Sequence, residues 1–478
     1  MNRTRRSLFP VILLLTWLGV WPAVGEVEKR VVTVSHYPQL FLDDKLISRT
    51  ENLKREIQQP VKHPANPLVV QDSPWEKRLI EIYGTVLYEP ERDLFRMWYL
   101  AGEDPDAVPE YYMCYAESSD GIRWRKPTIG NVDNPKYPEH NIVIPGGHGM
   151  CVLRTPEDPD PNRRYRGLGG KEIAFSPDGL VWTMQPFESA GKNDTSSCVV
   201  RWKGEYLAYV RNQAPDPNWP GVMRAVALCA SKDFEHWTPK ETVFITDKED
   251  GYPWTQVYGM AVTSFGDRLI GFPWFLYLDE KEGNNNLGDM NVQLAVSRDG
   301  RNWTRVADRG VFLAPTEGTW DRGGVFPGTT FFVKDDLIYI YYTGVDGRHG
   351  EKGRKPAIGL ATLPADRFVG LTQEEPSSPG ILETPLLDFA GRDLVVNAEI
   401  EGRDIEIELL DSEGRVLGGF NRANSRLVPV DGLRYRVVWQ LPEGEKDMGA
   451  VSDEQPVAVR FLLRKGSLFS FQVVDPER

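Results

Sequence analysis

The chain reads as all-β: a five-bladed β-propeller followed by a C-terminal antiparallel β-sandwich. Three observations predict this. A serine, an aspartate two residues on and a tryptophan four beyond that recur in one frame, as Ser118-Asp120-Trp124, Ser176-Asp178-Trp182, Ser231-Asp233-Trp237 and Ser297-Asp299-Trp303. The serines stand 58, 55 and 66 residues apart, a period too long for most helical repeats and suited to a four-stranded blade with generous loops. Nearly every regular segment alternates with period two or is a short apolar run rich in β-formers, and no convincing helical period exists. Beyond residue 373, a proline- and serine-bearing linker gives way to strict alternation, with Ile405, Ile407 and Leu409 interleaved by Glu406 and Glu408.

In chain order, residues 1–25 have the form of a secretory leader. Arg3, Arg5 and Arg6 precede an uncharged run from Leu8 to Val20, and Ala23-Val24-Gly25 supplies small residues for cleavage, so the mature protein is expected to be secreted or periplasmic. The propeller is expected over 26–373. Its first unit places strands at Ile80–Tyr88, Leu94–Leu100 and Tyr111–Glu117, then the Ser-Asp-Gly turn and an outer edge from Trp124. The second unit uses Met150–Thr155, Tyr165–Leu168, Ile173–Phe175 and Trp182, and the third Ser196–Trp202, Glu205–Arg211, Met223–Ala230 and Trp237. The fourth uses Gln256–Phe265, Arg268–Tyr277, Asn291–Val296 and Trp303. A fifth, without the motif, uses Thr329–Val333, Leu337–Thr343 and Ala357–Leu363. A strand from Val31–Leu42 is expected to complete the last blade and so remove its exposed edge. The linker spans 374–380 and the sandwich 381–478.

Composition excludes several classes of function. The net charge is −13, and removing three arginines and no acid with the leader takes it to −16, so nucleic acid is not an expected partner. After the leader no stretch is apolar enough to span a membrane. Four dispersed cysteines (Cys114, Cys151, Cys198, Cys229) contain no CxxC, and neither HExxH, paired histidines, a phosphate-cradling glycine loop nor a serine nucleophile elbow is present. No metal and no cofactor is expected. The cysteines fall in apolar runs, consistent with buried thiols or with one disulfide.

The repeated Ser, Asp and Trp are read as scaffold: the side chains cap turn amides, glycine supplies positive φ and the indole packs between sheets. Chemistry is expected at the opposite end, where inner strands begin and the second and third strands connect. That pool holds Glu81 with Tyr83, His148, Asp194, Trp254 with Gln256, and Asp321 with Arg322. The loops add Glu103, Asp104, Asp106 and Glu110, then Lys171 and Glu172, Arg211, Asp216 and Trp219, Asp279, Glu280 and Asp289, and Asp346, Arg348 and His349. Carboxylates, arginines and aromatic faces around a depression suit sugars, and two carboxylates flanking a bond supply an acid and a base or nucleophile.

Ser-Ser-Asp-Gly-Ile-Arg-Trp at 118–124, Ser-Arg-Asp-Gly-Arg-Asn-Trp at 297–303, Phe95-Arg96-Met97-Trp98-Tyr99 and Ile358-Gly359-Leu360-Ala361-Thr362-Leu363 resemble the five-bladed propeller glycoside hydrolases of the family 32 and 43 superfamily and their secreted planctomycete-type relatives. The likeness covers about residues 35–373. It implies a trio of acids at the starts of the first three inner strands, which Glu81 and Asp194 match and His148-Gly149-Met150 does not. The fructan-cleaving signatures are missing, so the resemblance does not imply fructosidase activity. The expectation is a secreted glycoside hydrolase acting on a poly- or oligosaccharide, with Asp194 as general acid, Glu81 as base or nucleophile, and Asp321 or Glu172 tuning the acid. His148, Arg211, Trp219, Trp254, Gln256 and Arg322 would line the sugar subsites. The alternative is a non-catalytic carbohydrate-binding or scaffold propeller; convergence of two carboxylates, one shielded from water, would separate the two.

Overall fold

The computed structural model describes residues 30–475 except 105, 107–108, 189–193, 195–197, 216–221, 282, 284, 391–392, 403 and 453–454. The expected leader and Trp219 lie outside the described residues.

Three four-stranded antiparallel meanders come first. They are Leu79–Glu89, Leu94–Gly102, Tyr111–Ser118 and Ile142–Pro145; then Met150–Arg154, Tyr165–Gly169, Glu172–Ser176 and Thr183–Pro186; then Cys198–Trp202, Glu205–Pro215, Val222–Ser231 and Glu241–Phe244. Two further meanders share one larger sheet, joined by a single parallel bridge between Met290 and Gly324. One holds Thr255–Phe265, Arg268–Leu278 and Gly288–Gln293; the other holds Gly324–Pro327, Leu337–Val345 and Pro356–Pro364. The inner strands are apolar on both faces because each sheet is packed between two neighbours: Leu79–Tyr88 is buried through Val86, and Phe95–Ala101 is buried throughout. That is why they read in the sequence as continuous runs and not as clean alternation.

The inner strands meet in a closed circuit of hydrogen bonds around a common axis. Val152 N donates to Thr85 Oγ1 (2.8 Å), Val199 N to Cys151 Sγ (3.4 Å) and Val262 N to Cys198 Sγ (3.2 Å). Phe331 N then donates to Thr263 Oγ1 (3.3 Å), and Thr329 N to Gly84 O (3.0 Å), which returns to the first strand. This is the propeller arrangement. It also explains two of the cysteines, whose small polarisable thiols accept amide protons where the strands crowd together; all four cysteines are buried and free.

The sheet that ends the circuit is completed from the N-terminal side, though not by the expected segment. Val61–Lys62 pairs antiparallel with Ala361–Thr362. Val31–Val34 instead runs parallel to Leu386–Phe389, and Gln39–Leu40 pairs with Ser470–Phe471. The reason is packing: Val32, Val34 and Phe41 are buried in the C-terminal core beside Trp439, Phe461 and Phe471. The same sheets take in Arg49–Glu51, which pairs with Gly380–Glu383, and Leu53–Ile57, which pairs with Val369–Gln373. N-terminal strands therefore belong to the C-terminal sheets, in which the strand Asp393–Glu399 is buried through Ala398.

The repeated turns are scaffold, as their chemistry predicted. In each copy the serine Oγ accepts the amide of the residue three on (Gly121, Gly179, Phe234 and Gly300, 2.8–2.9 Å). Each aspartate Oδ1 accepts the amides two and three residues on, as Asp178 does from Leu180 and Val181. The turn glycine's carbonyl then receives an aromatic donor from the preceding sheet: Tyr341 to Gly121, Trp98 to Gly179, and Tyr209 to Gly300. In the third copy Phe234 replaces glycine and adopts φ +72°. Its ring packs against Phe175 and Tyr206 from the second and third sheets. Each turn thus fastens its own sheet to the one before it.

Candidate active site

Strand pairing places the turns and the candidate site at opposite ends. Ser118 lies opposite Phe95, whereas Glu81 lies opposite Leu100, two rungs from the Gly102–Tyr111 end of the same sheet. At that end two inner strands carry bulges. In the first strand the register slips between Glu81 and Thr85, and in the fourth between Val257 and Gly259. Each slip involves a tyrosine followed by glycine, Tyr83-Gly84 and Tyr258-Gly259. A bulge re-aims the side chains it carries, and both tyrosines line the mouth cavity. Gly84 is required there: a Cβ would stand 2.0 Å from the Trp98 carbonyl oxygen.

The mouth has two lobes that share Tyr111 and His148. One, about 460 Å³, is lined by Glu110, Gly146–Met150, Lys171, Glu172 and Asp194. The other, about 540 Å³, is lined by Arg78, Glu81, Tyr83, Tyr258, His349 and Arg354 among others. His148 is stacked on Tyr111 with ring centroids 4.2 Å apart, and its edge faces Tyr83. This ring pair is the partition between the lobes.

Glu81 is 3 % exposed. Its Oε1 stands 3.3 Å from Arg354 Nη2. Burial raises its pKa above the ordinary carboxylate range, against the opposing pull of Arg354 and Arg78. Asp194 is in the contrasting environment, with a side chain 38 % exposed. Arg211 donates Nη1 to Asp194 Oδ2 (3.1 Å) and Nε to the Tyr258 carbonyl (2.8 Å), with its guanidinium 4.1 Å above the Tyr258 ring. His148 Nδ1 lies 3.6 Å from Asp194 Oδ1. Burial holds the His148 pKa below the usual imidazole value despite Asp194 and Glu110, so it is neutral at pH 7.

His349 closes the opposite wall. Its Nδ1 is 2.6 Å from the Asn286 carbonyl and its Nε2 3.1 Å from the Tyr258 hydroxyl. A carbonyl can only accept, so Nδ1 carries the proton and neutral His349 accepts from Tyr258 at Nε2. Burial lowers its pKa to about 4. Arg224 also lies over the Tyr258 ring, 5.3 Å from its centroid, and donates Nη1 to Gln256 Oε1 (2.8 Å) and the Asn285 carbonyl (2.9 Å).

The remaining candidates separate cleanly. Glu172 is exposed and lines the first lobe beside Lys171. Gln256 is fully buried and serves Arg224 and Asn285, so it orders the wall and is not presented to a ligand. Asp321 is not a mouth residue. It is fully buried and accepts from Lys62 Nζ (2.6 Å), Thr319 Oγ1 (2.6 Å) and the Tyr342 hydroxyl (3.0 Å). Its carboxylate anchors the closing strand Val61–Lys62, a duty invisible while that strand was placed elsewhere. Arg322 is exposed and Trp254 half-buried against the core, and neither lines the two lobes. Tyr258, Arg78, Arg354, Arg224 and Tyr111 were not singled out from sequence. The ring-plus-glycine pairs Tyr83-Gly84, His148-Gly149 and Tyr258-Gly259 were the available signal.

No protein-family model matches the chain, and no curated protein matches it. Among solved structures, the chain is similar to a glycosyl hydrolase from Bacteroides ovatus (TM-score 0.45, 15 % identity, covering 65 % of this chain and 96 % of that one). It is similar also to the Bombyx mori GH32 β-fructofuranosidase BmSUC1 (0.39, 11 %, 88 % and 96 %). A third is an N-acetylgalactosamine deacetylase from F. plautii in complex with blood group B trisaccharide (0.42, 13 %, 71 % and 96 %). At such scores a likeness fixes neither substrate nor mechanism.

Proposed function

We propose that the protein is a five-bladed propeller glycoside hydrolase that works at this mouth with Glu81 and Asp194 as its carboxyl pair. One observation carries the reading: two carboxyl groups share the mouth, and their surroundings push them apart chemically. Glu81 is shut away from water and held toward its protonated form, while Asp194 is open to water and fixed by a buried arginine. Divergent environments of this kind assign an acid and a base. A scaffold propeller has no need of a buried carboxyl at its rim, where an unneeded buried acid only destabilises the fold.

The roles are the reverse of those expected from the sequence. Glu81 supports the proton donor, delivering its proton to the leaving-group oxygen. Asp194, paired with Arg211, supports the base that activates water or the nucleophile that attacks the anomeric carbon. Arg211 and His148 position Asp194, and the faces of Tyr83, Tyr111 and Tyr258 suit the C–H surface of a sugar ring. Glu172, in the neighbouring lobe, suits a subsite hydroxyl.

The test is release of reducing ends from a panel of polysaccharides by the wild-type chain, Glu81→Gln and Asp194→Asn, with folding checked by thermal unfolding. Each replacement is expected to lower turnover by about 10²–10⁴-fold with the fold retained. Wild-type rates in both variants would remove the assignment, and no release from any polymer would favour the binding reading.

A further inference from the structure

The second lobe is basic in an acidic protein. The chain's net charge is −13, yet this cavity is lined by Lys77, Arg78, Arg354 and Lys355 against Glu81 and Glu351, with Lys77 paired to Asp104 at 3.0 Å. Glu81 is the weakest of counter-ions, since burial disfavours its charged form. Lys355 is exposed, and its backbone amide, not its ammonium, is tied down, to Asp346. Arg78 gives Nη1 to Glu110 (2.5 Å), while its Nε and Nη2, and Nε2 of the neighbouring lining residue Gln71, are buried without a hydrogen-bond partner. Buried donors without acceptors are rare in folded proteins.

The wall behind repeats the theme. Arg224 spends Nη1 on neutral oxygens, those of Gln256 and Asn285. It shares the Tyr258 ring with Arg211, and burial together with Arg211 lowers its pKa. Cations gathered in a low-dielectric cleft focus a positive potential there, whatever the sign of the whole chain. A neutral sugar does not require such a field. Guanidinium forks, by contrast, match the planar or tetrahedral oxyanions of carboxylates and sulfates.

Building on the glycosidase reading, we infer that this lobe receives an oxyanion substituent of the saccharide, a uronic acid carboxylate or a sulfate ester, against Arg354, Lys355 and Arg78. The anionic residue of the substrate then sits on the Glu81 side of the Tyr111–His148 partition, and the lobe holding Asp194 and Glu172 takes the neighbouring sugar.

The experiment measures binding by calorimetry of length-matched oligosaccharide mixtures from a polygalacturonate, a sulfated galactan and a neutral galactan. Glu81→Gln slows turnover in this measurement, and reducing-end release by the wild-type chain on the same three is read alongside. At least one anionic mixture is expected to bind about tenfold or more tightly than the neutral one, with an affinity that falls as salt rises. Which anionic mixture wins identifies carboxylate or sulfate. Lys355→Ala, at an exposed position, is expected to remove most of that advantage and leave neutral binding unchanged; Lys355→Gln is the second variant should the first not fold. Equal or better binding of the neutral mixture, with its cleavage intact, overturns the inference and leaves the glycosidase reading standing. No binding and no cleavage of all three overturns both.

Discussion

Arg211 holds Asp194 from beneath: its Nη1 is 3.1 Å from Asp194 Oδ2, although the arginine side chain is 2 % exposed and the aspartate side chain 38 %. The pair is therefore asymmetric. Losing the arginine strands an aspartate that water can reach, so the penalty is smaller than the about 3–5 kcal/mol of a broken fully buried pair. What is lost is aim. Arg211→Met is expected to reduce kcat/KM about 100-fold, the scale of a displacement near 1 Å in a catalytic group. Steady-state kinetics beside thermal unfolding separates the two effects.

Asp321 behaves in the opposite way. With its carboxylate 2.6 Å from Lys62 Nζ and fully buried, it is part of the closure of the ring and not of the mouth. Asp321→Ala is expected to lower stability by about 3 kcal/mol, read by denaturant unfolding, with kcat of the folded fraction unchanged. A normal unfolding midpoint with lost activity would return Asp321 to the site.

His349 gives a pH signature. Its folded pKa of about 4 lies below the ordinary 6.5, lowered first by burial and then by Arg354, Arg224 and Arg211, against the Asn286 carbonyl. Between those two values the unfolded chain binds the proton and the folded one does not. The stability His349 allows is present above the unfolded value and is lost as pH falls toward the folded one. Wild type is expected to lose about 3 kcal/mol more than His349→Gln between pH 7 and pH 4, measured as the difference in unfolding free energy across that range.

Gly84 tests the bulge. With 2.0 Å between a notional Cβ and the Trp98 carbonyl oxygen, Gly84→Ala must shift the strand that presents Tyr83 and Glu81. A cost of about 2–4 kcal/mol, together with lost activity, is expected from unfolding and rate measurements on the variant.

Much of the fold was legible because its determinants are local. The serine and aspartate of each turn bond within the turn, and the tryptophans of the first three copies donate to the carbonyl three residues back, so the repeat advertises itself, and the doubly covered inner strands show as unbroken apolar runs. Closure was not local. Val31–Val34 and Val61–Lys62 are both short and β-prone, and only the distant surfaces they meet, Leu386–Phe389 and Ala361–Thr362, decide between them. The same gap misplaced Asp321, whose partner Lys62 lies 259 residues away. At the site, Glu81 and Asp194 were visible as acids beginning inner strands. The roles proposed for them were not, because the surroundings of each carboxyl depend on burial and on Arg211, Arg354 and Arg78. Tyr258 looked like ordinary core until the bulge before Gly259 turned it to the cavity.

The protonation state of Glu81 tests the account most directly, and needs no substrate. The measurement is the carboxyl stretch in infrared difference spectra between the wild-type chain and Glu81→Gln, followed across pH. The account predicts a protonated-carboxyl band, absent from the variant, that persists to a pH above the ordinary glutamate value of about 4.3. A Glu81 that ionises at or below that value would contradict its assignment as the proton donor.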